Sequence, residues 1–224
     1  MAQTKFTGLG IALITPFKED ESVDFDTFAR LLDYQLQNGV DYLVVLGSTA
    51  ETPALFDEEK KEIVKFVKER VNGRVPIVLG CGGNNTRAVV KTLKTDDFSG
   101  IDAILSVVPY YNKPTQEGQY QYFKAVAEST DKPIVLYNVP GRTGSNMTAE
   151  TTLRLAQIDN IVAVKEASSK REQILEILQN RPEDFVVLSG NDDETLDLMQ
   201  NGAEGVISVA SNIVPSMVVE LTHA

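Results

Sequence analysis

The chain has 224 residues, 42% of them hydrophobic, a formal net charge of −11 and one cysteine, Cys81. That length and apolar content suit one large domain with its own core. The acidity argues against the clustered basic face that nucleic acid requires and equally against anionic membrane surfaces, and a lone cysteine excludes an intrachain disulfide.

In chain order, short runs rich in Val, Ile and Leu alternate with amphipathic stretches. The strand-like runs are Gly8–Ile14, Tyr42–Leu46, Pro76–Leu79, Ala103–Val107, Ile134–Tyr137, Ile161–Val164, Phe185–Leu188 and Gly205–Val209. They lack polar alternation, which is the pattern of strands buried on both faces of a parallel sheet. The first helix carries Phe25, Phe28, Leu31, Leu32 and Tyr34, with Asp24 as its cap. The second sets Ile63, Val64, Phe66 and Val67 beside the acids Asp57, Glu58 and Glu59, which suit its dipole. Later helices are predicted to begin near Thr86, Thr115, Thr148, Ser169 and Asp192, each with a capping or first-turn acidic residue. Eight strands at roughly thirty-residue spacing predict a parallel, eight-stranded (β/α)8 TIM barrel spanning 1–224 as one catalytic domain. Gly80-Cys81-Gly82-Gly83 reads as a tight turn, because the third glycine of a dinucleotide loop is absent. Met1-Ala2-Gln3-Thr4-Lys5-Phe6 lacks the apolar run of a secretory signal, and no stretch is long enough to span a bilayer. The expected compartment is the cytoplasm, where Asn84-Asn85-Thr86 and Asn146-Met147-Thr148 are chance sequons.

Barrel chemistry sits at the C-terminal ends of the strands. Four segments there carry reactive groups: Gly47-Ser48-Thr49-Ala50-Glu51-Thr52, Pro109-Tyr110-Tyr111-Asn112-Lys113-Pro114, Tyr137-Asn138-Val139-Pro140-Gly141-Arg142-Thr143, and Val164-Lys165-Glu166-Ala167. Lys165 closes a buried strand, where desolvation turns an ammonium into a nucleophilic amine suited to imine formation. A lysine reaching out of the strand end, or paired with Glu166, is the other reading, although alternation sends Glu166 to the opposite face. Tyr137 ends the adjacent strand and is placed either to relay protons or to anchor the strand end. The sole histidine, His223, lies at the far end of the sequence, and no Cys/His or Asp/His group has metal-ligand spacing. Asp192-Asp193-Glu194 reads as a complement to a helix dipole rather than a cation site.

Together these four motifs, in order and at the right strand ends, resemble the dihydrodipicolinate synthase family, and the likeness runs from Phe6 onward. The resemblance implies condensation of pyruvate with aspartate 4-semialdehyde, the first committed step toward diaminopimelate and lysine, with no cofactor or metal beyond a covalent lysine imine. Lys165 would carry pyruvate. Tyr137, Ser48 and Tyr111 would relay protons, with Tyr111 reaching in from a neighbouring subunit of a homo-oligomer, a dimer of dimers in the family. Thr49 would hold the pyruvate carboxylate and Arg142 that of the aldehyde, with the Ile207 carbonyl and Gly190 completing the substrate site. A sugar-acid lyase of the same superfamily shares Lys165 and Tyr137 and is the alternative enzyme; an inactive barrel fragment is the alternative of another class.

This chain departs from the family in several places. Ser48 stands where threonine is usual, and Ala50 replaces a glycine, so the backbone at 50 is expected not to need positive φ. The sequence as given stops within the expected eighth helix, before the small C-terminal helical domain that the family normally has, as either a fragment or a naturally short protein would. Asn84 and Tyr110 match the lysine-effector positions, but Asp57, Lys60 and Ala88 replace histidine, histidine and glutamate, implying weak or absent feedback by lysine.

Overall fold

The computed structural model describes residues 6–224. Eight parallel strands close into a barrel in the order β1 to β8: Gly8–Ala12, Tyr42–Val45, Ile77–Gly80, Ala103–Val107, Ile134–Asn138, Ile161–Glu166, Val186–Ser189 and Gly205–Ser208. Around it lie α1 Phe25–Gln37, α2 Asp57–Val71, α3 Thr86–Thr95, α4 Gln116–Ala127, α5 Pro140–Thr143, α6 Ala149–Leu155, α7 Arg171–Asn180, α8 Thr195–Gln200 and α9 Pro215–His223. Segment Met1–Lys5, on which the absence of a leader was read, lies outside the described residues. No helix among the described residues is long and apolar enough to cross a membrane.

Two apolar layers follow from the two-residue period of the strands. Leu9, Ile11, Leu43, Val45, Ile104, Leu136, Val164 and Val187 pack outward against the helices. Val44, Val78, Leu105, Val135, Tyr137, Ala163, Leu188 and Ile207 fill the barrel interior. Phe6 stacks edge-on to Tyr42 at a centroid distance of 5.9 Å and belongs to that interior layer. His223, in the last turn of α9, bonds Asp41, whose carboxylate also accepts from the Leu9 N–H.

The helix caps bear out most predicted starts. Asp24 accepts from the Thr27 N–H, Asn85 from Ala88, Thr115 from Gly118 and Thr148 from Thr151. Each such bond satisfies an orphan donor and is worth about 1 kcal/mol. Two starts come later than predicted. Ser169 adopts a left-handed φ of 54°, so α7 opens at Arg171, and Asp192–Glu194 form a 3-10 turn before α8. Strand ends also move. Leu46 turns out of β2 with φ 55°, Pro76 gives up its place to Gly80 in β3, and β6 runs two residues further than its apolar core, through Lys165 and Glu166. Helix α5, with Pro140 at its start and Gly144 as its left-handed cap, was not predicted.

Candidate active site

Lys165 faces the barrel interior because Ala163 and Ala167, two residues either side, are interior residues, while Val164 packs against the helices. It is 4% exposed. Burial pulls its amine down to about 8, opposed by the Asp192 carboxylate and assisted by the nearby Arg142 guanidinium. Its Nζ lies 4.5 Å from the centroid of the Tyr137 ring, and the two residues pair in register across β5 and β6. Burial pushes the Tyr137 phenol up, against the charge of Arg142 and a hydrogen bond with the Ser48 hydroxyl. Lys165, Tyr137, Ser48, Arg142 and Gly190 are therefore neighbours at one end of the barrel. Gly190 is required by crowding: a Cβ there would lie 2.7 Å from the Ala167 Cβ and 3.1 Å from the Lys165 Cε.

The loop holding Ser48 and Thr49 is anchored from below. Thr15 Oγ1 donates to the Ala50 carbonyl at 2.8 Å and Thr52 Oγ1 to the Gly47 carbonyl at 2.9 Å. Ala50 keeps negative φ, and the left-handed position falls one residue later, at Glu51 with φ 55°. At β3, Gly80 has no room for a side chain, since a Cβ would sit 2.0 Å from the Leu46 carbonyl oxygen. The close approach lets Leu46 turn the chain across the barrel mouth.

Glu166 lies on the other side of β6 from Lys165. It is fully buried and accepts from Asn138 Nδ2 at 3.0 and 3.2 Å, from the Ser168 N–H at 3.0 Å and from Gln173 Nε2 at 3.2 Å. Burial raises its carboxyl despite these bonds. The same Asn138 donates to the Met147 carbonyl and accepts from the Met147 N–H, so the network also holds the segment that follows Arg142. A Lys165–Glu166 pair is thereby excluded.

Tyr111 is not brought to Lys165 within the chain. It is 86% exposed with φ 70°, and its N–H reaches the Thr143 carbonyl at 3.4 Å. Ile207 is buried in the interior layer opposite Gly10 of β1. Asp192 does more than stand with Asp193 and Glu194 in a first helical turn. Its Oδ2 accepts from the Val209 and Ala210 N–H groups, both at 3.0 Å, and Glu194 instead holds the Asn191 side chain. Sequence gave no sign of this, because the bonds span 17 and 18 residues. Among the described residues no three His, Cys, Asp or Glu side chains group to hold a metal ion.

The Dihydrodipicolinate synthetase family profile matches residues 5–224. The chain belongs to this family. It is 64% identical over 216 residues to the 4-hydroxy-tetrahydrodipicolinate synthase of Parabacteroides distasonis, covering 96% of this chain and 73% of that one. The crystal structure of dihydrodipicolinate synthase from Aquifex aeolicus superposes with a TM-score of 0.93 at 44% identity, over 98% of this chain and 75% of the other. The enzyme from Cyanidioschyzon merolae, solved with lysine bound, gives a TM-score of 0.93 at 40% identity, over 99% and 76%.

Proposed function

We propose that the chain, acting as a single catalytic barrel over 1–224 in the cytoplasm, condenses pyruvate with L-aspartate 4-semialdehyde to give 4-hydroxy-tetrahydrodipicolinate. The observation that carries this reading is Lys165, a buried interior amine drawn down to about 8 beside a tyrosine ring. Its lone pair attacks the ketone carbon of pyruvate, and the resulting carbinolamine loses water to leave a protonated imine. Loss of a methyl proton gives an enamine whose carbon bonds the aldehyde carbon of the second substrate. The amine of that substrate then displaces the lysine nitrogen and closes the ring. No cofactor enters these steps.

Tyr137, hydrogen-bonded with Ser48, is placed to take and return the protons of carbinolamine formation and dehydration. Thr49, in the turn Ser48–Ala50, offers its hydroxyl and N–H to the pyruvate carboxylate. Arg142 suits the carboxylate of the aldehyde, a bidentate task for guanidinium. The Ile207 carbonyl and Gly190, where no side chain fits, border the imine. Tyr111 is exposed, as a side chain serving a neighbouring copy would be in a lone chain, and a homo-oligomer is part of this reading.

Pyruvate with borohydride, followed by intact mass and peptide mapping, tests it. One reduced pyruvate on Lys165 is the expected result, and no adduct on folded protein overturns it. Turnover with aspartate 4-semialdehyde, and none with N-acetylneuraminate or keto-deoxy sugar acids, separates the synthase from the lyase reading.

A further inference from the structure

The β7–β8 seam is the weakest in the barrel. β6 and β7 pair over four positions from Ala163 to Glu166, and β8 and β1 over four from Gly8 to Ile11, whereas β7 and β8 pair only at Ser189 opposite Val206. Toward the mouth, β8 therefore runs on past the end of β7, the strand that pairs with the Lys165 strand. On its far side the loop after β8 is held by neutral groups. Asn212 Nδ2 donates to the Ala12 carbonyl at 2.8 Å, and Gln35 Nε2 to the Ser211 carbonyl at 3.0 Å. On the β7 side the tie is Asp192, whose Oδ2 takes the consecutive N–H groups of Val209 and Ala210. The other oxygen of that carboxylate, Oδ1, is buried with no hydrogen-bond partner.

We propose that Asp192 is a positioning residue for the Lys165 chemistry: its carboxylate locks the β8 loop across the open seam, and its charge favours a cation on the nitrogen at which the iminium forms. The proposal rests on the imine reading of Lys165. Three charged or titratable groups act on that amine from different elements: Tyr137 on β5, Arg142 on α5 and Asp192 after β7, while Glu166 on the same strand is turned to the helices. Arg142 works against a cation there, and Asp192 works for it. A carboxylate fixed by two backbone donors is preorganised, so it needs no rearrangement when the positive imine appears.

Asp192→Asn and Asp192→Ala separate the two roles. Asparagine keeps an oxygen that can accept both N–H groups and removes the charge; alanine removes both. The readouts are the circular dichroism melt, the pH midpoint of borohydride trapping with pyruvate, and kcat and KM for pyruvate. Loss of the charge disfavours the ammonium, so both variants are expected to trap with a midpoint at lower pH than wild type. Alanine should in addition lower kcat/KM by about 100-fold, the scale of a small misplacement of reacting groups. Folded variants with the wild-type midpoint overturn the electrostatic role, and a folded alanine variant that turns over like asparagine overturns the lock. Should alanine not fold, the asparagine midpoint decides. Wild-type protein that forms no adduct overturns the imine reading and this proposal with it; a normal wild-type adduct with unchanged variants overturns only this proposal.

Discussion

Lys165 Nζ stands 4.5 Å from the centre of the Tyr137 ring, and yet its amine is drawn down rather than up. An aromatic face favours a cation, as does Asp192, so desolvation inside the barrel outweighs both. The amine at about 8 is roughly a tenth unprotonated at pH 7, against less than a thousandth for an ordinary lysine. The initial rate of pyruvate trapping is therefore expected to rise with pH and reach half its plateau near 8. A midpoint near the ordinary lysine value of 10.5 would show that the amine is solvated.

The same burial costs stability. A folded-state value of about 8 against 10.5 in the unfolded chain means that below pH 8 the fold holds an ammonium it disfavours, at about 3 kcal/mol. As pH rises from 8 to 10.5, the unfolded chain binds more protons than the fold, so this cost falls and then vanishes. Lys165→Met is expected to melt higher than wild type at pH 7, with the advantage shrinking toward pH 10, while losing all trapping. Equal melting temperatures at both values would count against a desolvated charge.

Most of the barrel was legible because strands buried on both faces leave uninterrupted Val, Ile and Leu runs. All eight were found, and the errors lie at their ends. β6 was cut at Val164 since Lys165 and Glu166 do not look like strand residues; one is the amine proposed to react and the other is satisfied by Asn138, Ser168 and Gln173. Leu46 looked like strand and leaves it through a left-handed turn. The short α5 had a readable signal in Pro140 followed by Gly144, a proline at a helix start and a glycine past its end. Asp192 had none. Its task depends on which loops meet, and a run of three acids reads as a helix start in any sequence.

Gly190 offers a steric test of the site. A methyl at this position meets the Ala167 Cβ, the Glu166 carbonyl oxygen at 3.0 Å and the Lys165 Cε. Overpacking of this kind costs about 1–3 kcal/mol. Gly190→Ala is expected to unfold at lower denaturant and, while folded, to show a lowered kcat with pyruvate and aspartate 4-semialdehyde, since the Lys165 side chain must shift. Unaltered kcat would place the reacting nitrogen away from Gly190.

Lysine feedback is expected to be weak or absent. At positions that the family resemblance matches to the lysine effector site, Lys60 brings a cation, tied to Asp57 at 3.0 Å, and Ala88 offers no carboxylate. Titration of an active preparation with L-lysine should leave the rate unchanged at concentrations that saturate sensitive relatives. Potent inhibition would reverse this assignment.

Glu166 tests the scaffold behind the site. Each of its oxygens only accepts: Oε1 from Asn138 and the Ser168 N–H, Oε2 from Asn138 and Gln173. Glu166→Gln replaces one acceptor with an NH2 group that points at donors, inside a region where an unmade hydrogen bond costs about 1–3 kcal/mol. The loss should appear as an earlier midpoint in urea unfolding. Because Asn138 also holds both backbone groups of Met147, slackening it frees the segment after Arg142. The KM for the aldehyde should then rise more than the KM for pyruvate, whose lysine sits on the opposite face of β6. Equal rises would mean that the network supports Lys165 and not the Arg142 segment.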